Sequence, residues 1–233
     1  ACVAARRGRI VAVGLEDEMP CTVGEASHVI DLPQTLILPA LVNAHSHLDL
    51  TALGPMAYNG DFVSWLHMVM VGRQQLEKAN RVAESVRNGA DLSIKAGVGH
   101  VGDVANTAEA VITLHEVGQS GISFIETFGM GRMQQQGNSR LDAQIDQLHA
   151  RHDLVDNSNL KLGISPHAPY SAGPKVYEYA TRLSRQWAYR LCTHLAESPQ
   201  EVEFLQHGTG MFTNLLKAAE RWDETIKSPA KHP

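Results

Sequence analysis

Five times between residues 41 and 221, a short run rich in Val, Ile and Leu gives way to a longer stretch with helical spacing or helix end signals. The runs are Leu41–His45, Val98–Val104, Ile122–Phe128, Leu160–Ser165 and Tyr189–Leu195. Between them, residues 74–96 carry Leu76, Ala79, Val82, Ala83, Val86, Ala90 and Leu92 at helical spacing. Asn106 is placed to cap a helix to Val117, with Glu109 at the capping-box position and Gly118 as its stop. Further helices are predicted over Leu141–His149, over Pro174–Trp187 with Pro at its first position, after Ser198-Pro199-Gln200-Glu201 with Gly208 as its end, and over residues 211–221. Strands alternating with helices, the strands apolar on both faces, specify βαβ units and a parallel sheet. A (β/α)8 TIM-type barrel fits best. It is incomplete, with about five β/α units present, because the chain after residue 38 is shorter than the ~250 residues a closed barrel takes. The rival is an open doubly wound sheet. Its glycine-rich first turn is missing: the first run ends in His45-Ser46-His47.

Residues 1–38 follow another pattern. Cys2–Ala5 and Arg9–Val13 are apolar runs separated by Arg6-Arg7-Gly8, a hairpin break, and Val29-Ile30 and Leu36–Leu38 are further strand-like pieces. A boundary is therefore expected near residue 38, with residues 39–233 forming the α/β part. The chain begins without Met and stops at Lys231-His232-Pro233 without a closing element, which reads as a fragment.

Composition removes some function classes. Twenty basic residues stand against twenty-five acidic ones, net charge −5, the wrong field for a phosphate backbone, so no nucleic acid partner is expected. No apolar run reaches the ~20 residues a membrane helix needs. Cys2, Cys21 and Cys192 are scattered and odd in number, which points to a reducing cytoplasm rather than a disulfide framework.

Histidine is abundant, with 12 of 233 residues, so one H-x-H is weak evidence alone. Its geometry still matters. Residues i and i+2 of a strand face one side, so His45 and His47 both point into the mouth of a barrel. The plain alternative is two histidines at a strand–loop junction. His194, near the end of the fifth run, faces the same mouth if the sheet closes, and three imidazoles are a normal protein ligand set for a catalytic zinc-type ion. Glu197, three residues on, is placed to move protons for a metal-activated water. It would equally suit the positive N-terminus of the helix that Ser198 caps. His167 lies in the rigid Ser165-Pro166-His167-Ala168-Pro169-Tyr170-Ser171 segment, where barrel enzymes place site residues, though a surface turn is equally open to it. Trp65, in the connection after the first strand, can stack on a flat ring or serve as core under a loop. His149 and His152 read as a solvated helix end.

Pro39-Ala40-Leu41-Val42-Asn43-Ala44-His45-Ser46-His47-Leu48 resembles the first signature of the amidohydrolase superfamily, with Ala40 in place of the usual Gly. The Ser165–Ser171 and Thr193-His194-Leu195-Ala196-Glu197-Ser198 segments resemble two later signatures of its chlorohydrolase and deaminase branch, in family order. Within the branch, His47–Thr51 followed by Asp61-Phe62-Val63-Ser64-Trp65 is most similar to the aminofutalosine deaminase-like group. The resemblance implies that residues 1–38 are the N-terminal part of a small β-sandwich beside the barrel. It implies one divalent ion, zinc first and Fe²⁺ second, on His45, His47 and His194. An Asp ligand and a second proton-handling His would come from beyond Pro233. Glu197 becomes the proton carrier, and His167 and Trp65 the substrate-binding residues. The implied reaction is hydrolytic deamination of a small amino-substituted heterocycle or nucleoside, with a homodimer as the usual assembly. Displacement of chloride from a triazine-like ring, or a non-catalytic barrel scaffold, are the alternatives.

Overall fold

The computed structural model describes residues 2–19, 28–155, 159–223 and 226, without the side chains of residues 153 and 155. Cys21 and the Lys231–Pro233 end lie outside the described residues. The chain divides into two compact units, Ala1–Pro39 and Ala40–Pro233.

In the first unit, β1 (Cys2–Arg6) and β2 (Arg9–Gly14) form an antiparallel hairpin. Arg7 and Gly8 both take positive φ at its tip, which suits the twist of a two-residue hairpin loop. The strand-like pieces Val29-Ile30 and Leu36–Leu38 are not strands. These residues are exposed, and an apolar run without a neighbouring ladder has nothing to pair with.

In the second unit, β3 (Leu41–Ser46), β4 (Val98–Ala105), β5 (Ser120–Thr127), β6 (Leu160–Pro166) and β7 (Arg190–Leu191) form one parallel sheet in the order β3-β4-β5-β6-β7. Each strand pairs with its successor, as in a singly wound barrel. A doubly wound sheet would reverse direction. Val101, Ile125, Leu160 and Ile164 from the sheet form one core with the inner faces of α2 (Val82–Lys95), α3 (Ala108–Glu116), α4 (Gln134–His149) and α6 (Pro174–Trp187). A smaller apolar cluster gathers Phe62 and Leu66 of α1 (Phe62–Lys78), Met130, Ala168, Tyr170, Phe204 and Leu205 of α7 (Pro199–His207), and Phe212 of α8 (Gly210–Ala218).

Several expected boundaries move. The 74–96 pattern is two helices, α1 and α2, broken where Asn80 adopts φ 53°. Thr107, not Asn106, caps α3: Thr107 Oγ1 accepts from Ala110 N, while Asn106 donates through Nδ2 to Glu77 and through its backbone N to Asp49. α4 starts at Gln134 rather than Leu141, because Gln134 and Gly137 pack inward without an apolar signal. α8 stops at Ala218, short of residue 221. Only Arg190 and Leu191 of the fifth run pair as strand, since β6 ends in Pro166, which has no N–H to extend the ladder. His149 is not solvated: it packs edge-on to Trp187 at 4.4 Å and bonds Tyr189 Oη at 2.6 Å.

Candidate metal centre and active site

The carboxyl ends of β3, β6 and β7 bring together three of the histidines singled out in the sequence. His45 is on β3, and His47 follows it by two residues. His194 follows β7, held in place by its backbone N, which donates to the His167 carbonyl at 2.7 Å. One ring nitrogen from each of His45, His47 and His194 lies within 4.8 Å of the other two. The ring centroids are 5.0 to 5.3 Å apart, and Nε2 of His47 is 3.2 Å from Nε2 of His194.

The protons can be placed from the partners. His194 Nδ1 lies 3.1 Å from the His167 carbonyl oxygen, which only accepts, so the ring carries its proton there and offers a lone pair at Nε2. His47 Nδ1 is buried beside the Val104 backbone but short of a formed hydrogen bond. Burial first, then the Arg73 charge and the neighbouring imidazoles, push His47 down to about 3. Burial and His194 lower His45, with the Glu197 carboxylate opposing. Nε2 of His47 and Nε2 of His194 face each other across 3.2 Å, a spacing that two ligands of one cation can share. This donor set fits a divalent metal ion of the zinc type.

The contacts of Glu197 place its carboxylate away from the α7 N-terminus. Its carboxylate is not bonded to the N-terminus of α7, which Ser198 caps by accepting from Glu201 N. Instead, Glu197 Oε2 accepts from Tyr170 Oη at 2.5 Å, and Glu197 sits close enough to His45 for its charge to oppose the lowering of that ring. The capping box is displaced by one residue: Glu201 accepts from Glu197 N at 2.8 Å. His167 lies in the same mouth, stacked on Phe128 at 4.7 Å, with Nδ1 2.6 Å from Ser171 Oγ and its ring 4.9 Å from that of His194. Burial, His194 and Arg73 hold it well below the ordinary histidine range. Trp65 is on the first turn of α1, with Phe62 at 6.0 Å as its ring neighbour.

Buried charges beneath the histidines escaped the sequence reading. Asp103 of β4 accepts from Leu48 N at 2.9 Å and so pins the backbone next to His47; burial raises it to about 7. Glu126 of β5 pairs with Arg73 of α1 at 3.2 Å, and burial raises it also to about 7, with Arg73 opposing. Its other oxygen, Oε1, is 3.9 Å from His167 Nε2 and from His194 Nδ1, so Glu126, His167 and His194 form a second group of metal-capable atoms. The available signal was an acidic residue inside an otherwise apolar strand: Val-Gly-Asp103-Val and Phe-Ile-Glu126-Thr.

Fold and site together define a (β/α)-barrel protein with a histidine cluster at the strand ends. Residues 36–231 match the profile of the amidohydrolase family, and the chain belongs to that family. It is 29% identical to the adenosine deaminase of Helicobacter pylori (strain ATCC 700392 / 26695) over 184 residues, 78% of this chain and 43% of that protein. It is 26% identical to the 5-methylthioadenosine/S-adenosylhomocysteine deaminase of Pyrococcus furiosus over 193 residues, 80% of this chain and 44% of that protein. The chain thus spans less than half the length of these relatives. Among solved structures, Helicobacter pylori aminofutalosine deaminase in complex with methylthio-coformycin aligns with TM-score 0.63 and 26% identity, over 77% of this chain and 42% of that one. Atrazine chlorohydrolase from Arthrobacter aurescens TC1, complexed with zinc, aligns with TM-score 0.59 over 76% of this chain and 46% of that one; at 17% identity it shares the fold alone.

Proposed function

We propose that the protein carrying this chain is a metal-dependent hydrolase that removes an amino group, as ammonia, from an amino-substituted heterocycle or nucleoside. The observation that carries this reading is the meeting of His45, His47 and His194, with Nε2 of His47 and His194 3.2 Å apart. The names of the deaminase relatives support the reaction class. Chloride displacement from a triazine-like ring has only the fold-level likeness behind it.

In this reading His45, His47 and His194 hold a single divalent ion, zinc ahead of Fe²⁺, and an Asp from outside this sequence completes the set. Such an ion, when bound, lowers the pKa of water from ~15.7 toward ~7 and so supplies a nucleophile at neutral pH. Glu197 takes the attacking water's proton and carries it to the ring nitrogen and then to the departing amine. A C–O bond forms at the ring carbon, the C–N bond breaks, and ammonia leaves. Neutral His167 hydrogen-bonds the substrate near the reacting carbon, and Trp65 lines the outer pocket. We also assign residues 1–38 to a small β-sandwich domain, a cytoplasmic location, and a homodimer as the assembly.

Ammonia release by the metal-loaded whole protein tests the assignment. His194→Ala and Glu197→Gln should each abolish it against 5′-substituted adenosines and related amino-heterocycles. Near-normal turnover by either variant overturns the role given to that residue.

A further inference from the structure

Tyr170 is 4% exposed, yet its hydroxyl reaches the Glu197 carboxylate in the mouth. Its ring is fixed on two sides. It stacks face to face on Phe212 of α8, centroids 4.1 Å apart and planes 7° from parallel, and it meets the His167 ring edge-on at 5.6 Å. Phe212 is itself wedged edge-on by Phe204 of α7 and Phe62 of α1. The Glu197 end is also anchored. Ala196 takes φ 59°, and the Glu197 backbone N donates to buried Glu201 at 2.8 Å.

We propose that Tyr170, held by the Phe212 stack, is the positioning residue of Glu197: it ties down Oε2 and leaves Oε1 as the single oxygen that carries the proton. This rests on the role given to Glu197 above. An exposed glutamate has three rotatable bonds, and its carboxylate exchanges its two oxygens freely. A 2.5 Å hydrogen bond from a phenol to an ionised carboxylate is of the strong, charge-assisted kind and removes that freedom. Burial and Glu197 itself raise Tyr170 further above its already high range, so the hydroxyl stays a donor at any working pH. The effect belongs to the proton-transfer step rather than to substrate binding, because the hydroxyl is spent on Glu197. It also makes α8 part of the catalytic apparatus, although that helix supplies none of the three histidines.

The test uses the metal-loaded whole protein. Loss of one hydrogen bond to a charged group, ~1.5–3 kcal/mol, corresponds to roughly a 10- to 100-fold fall in kcat for Tyr170→Phe. KM should stay within about twofold, with metal content and melting temperature unchanged. Phe212→Ala should reproduce part of the kcat loss and Phe212→Tyr should restore it. Wild-type kcat in Tyr170→Phe, with Glu197→Gln inactive, overturns this proposal and leaves the deaminase reading standing. An active Glu197→Gln overturns both. A Tyr170→Phe loss that appears in KM, in metal content or in melting temperature assigns Tyr170 to binding or scaffold and overturns the positioning role.

Discussion

His47 and His194 stand 147 positions apart in the chain, and their Nε2 atoms lie 3.2 Å from each other. Three intervening strands set that distance. Each parallel strand carries the chain to the same edge of the sheet, so a residue at the end of β3 and one just after β7 meet only if the sheet curls. That spacing is within the reach of two ligands on one divalent ion.

The first prediction concerns that ion. Replacing His45, His47 or His194 with Ala should weaken metal binding beyond the about 100-fold typical of losing an outer hydrogen-bond partner. Competition with a chromogenic chelator measures it. Single-ion stoichiometry in the parent protein is part of the expectation. Two ions per chain would instead assign the second to Glu126, His167 and His194.

Backbone approach gives a second prediction. A Cβ at Gly102 of β4 would sit 2.3 Å from the Ala44 carbonyl oxygen of β3, and backbone cannot step aside as a side chain can. Gly102→Ala should therefore push β3 away, at a cost of about 1–3 kcal/mol in urea unfolding. Because β3 carries His45, metal affinity should fall with it. Unaltered affinity and stability would show that the strand pair has slack there.

The third prediction is a pH dependence. Asp103 is raised from 3.8 to about 7, so between those values the folded state holds a proton that the unfolded state releases. Stability from this group is present below pH ~4 and is lost as pH rises toward 7. Asp103→Asn keeps an acceptor for Leu48 N and removes the titration. Its melting temperature relative to the parent should rise across that window by at least about 2 °C, the shift that ~1 kcal/mol produces in a domain of this size. A relative gain on acidification would reverse the sign and refute the assignment.

The fourth prediction concerns the Arg73–Glu126 pair, whose side chains are 17% and 1% exposed. Removing the cation alone strands a buried carboxylate. Arg73→Met should cost about 3 kcal/mol near pH 8, and adding Glu126→Gln should recover much of it. Chemical denaturation of the two variants and the parent decides, and a double variant weaker than Arg73→Met would contradict the pairing.

Local signals were legible in the sequence. Ser198 caps α7, Gly208 ends it in the left-handed region, Pro174 opens α6 and Gly118 closes α3, because each acts within one turn of its own position. The His45–His47 spacing was equally readable, since strand alternation needs no partner. Pairing was less readable. Residues 192–195 have apolar strand composition but run on as non-ladder backbone beyond β6's terminal proline.

The sequence by itself determined the order of the β/α units, the ends of most helices and which residue types stood at the strand termini, all consequences of spacing along one chain. Only the tertiary structure decided that Glu197 turns to Tyr170 rather than to the helix it precedes, and that Asp103, Glu126 and Arg73 lie beneath the histidines. Those choices depend on which distant strand ends share a low-dielectric space, where a charge must find a partner or give up its ionisation. That cost arises only once the strands and helices have packed around the charge.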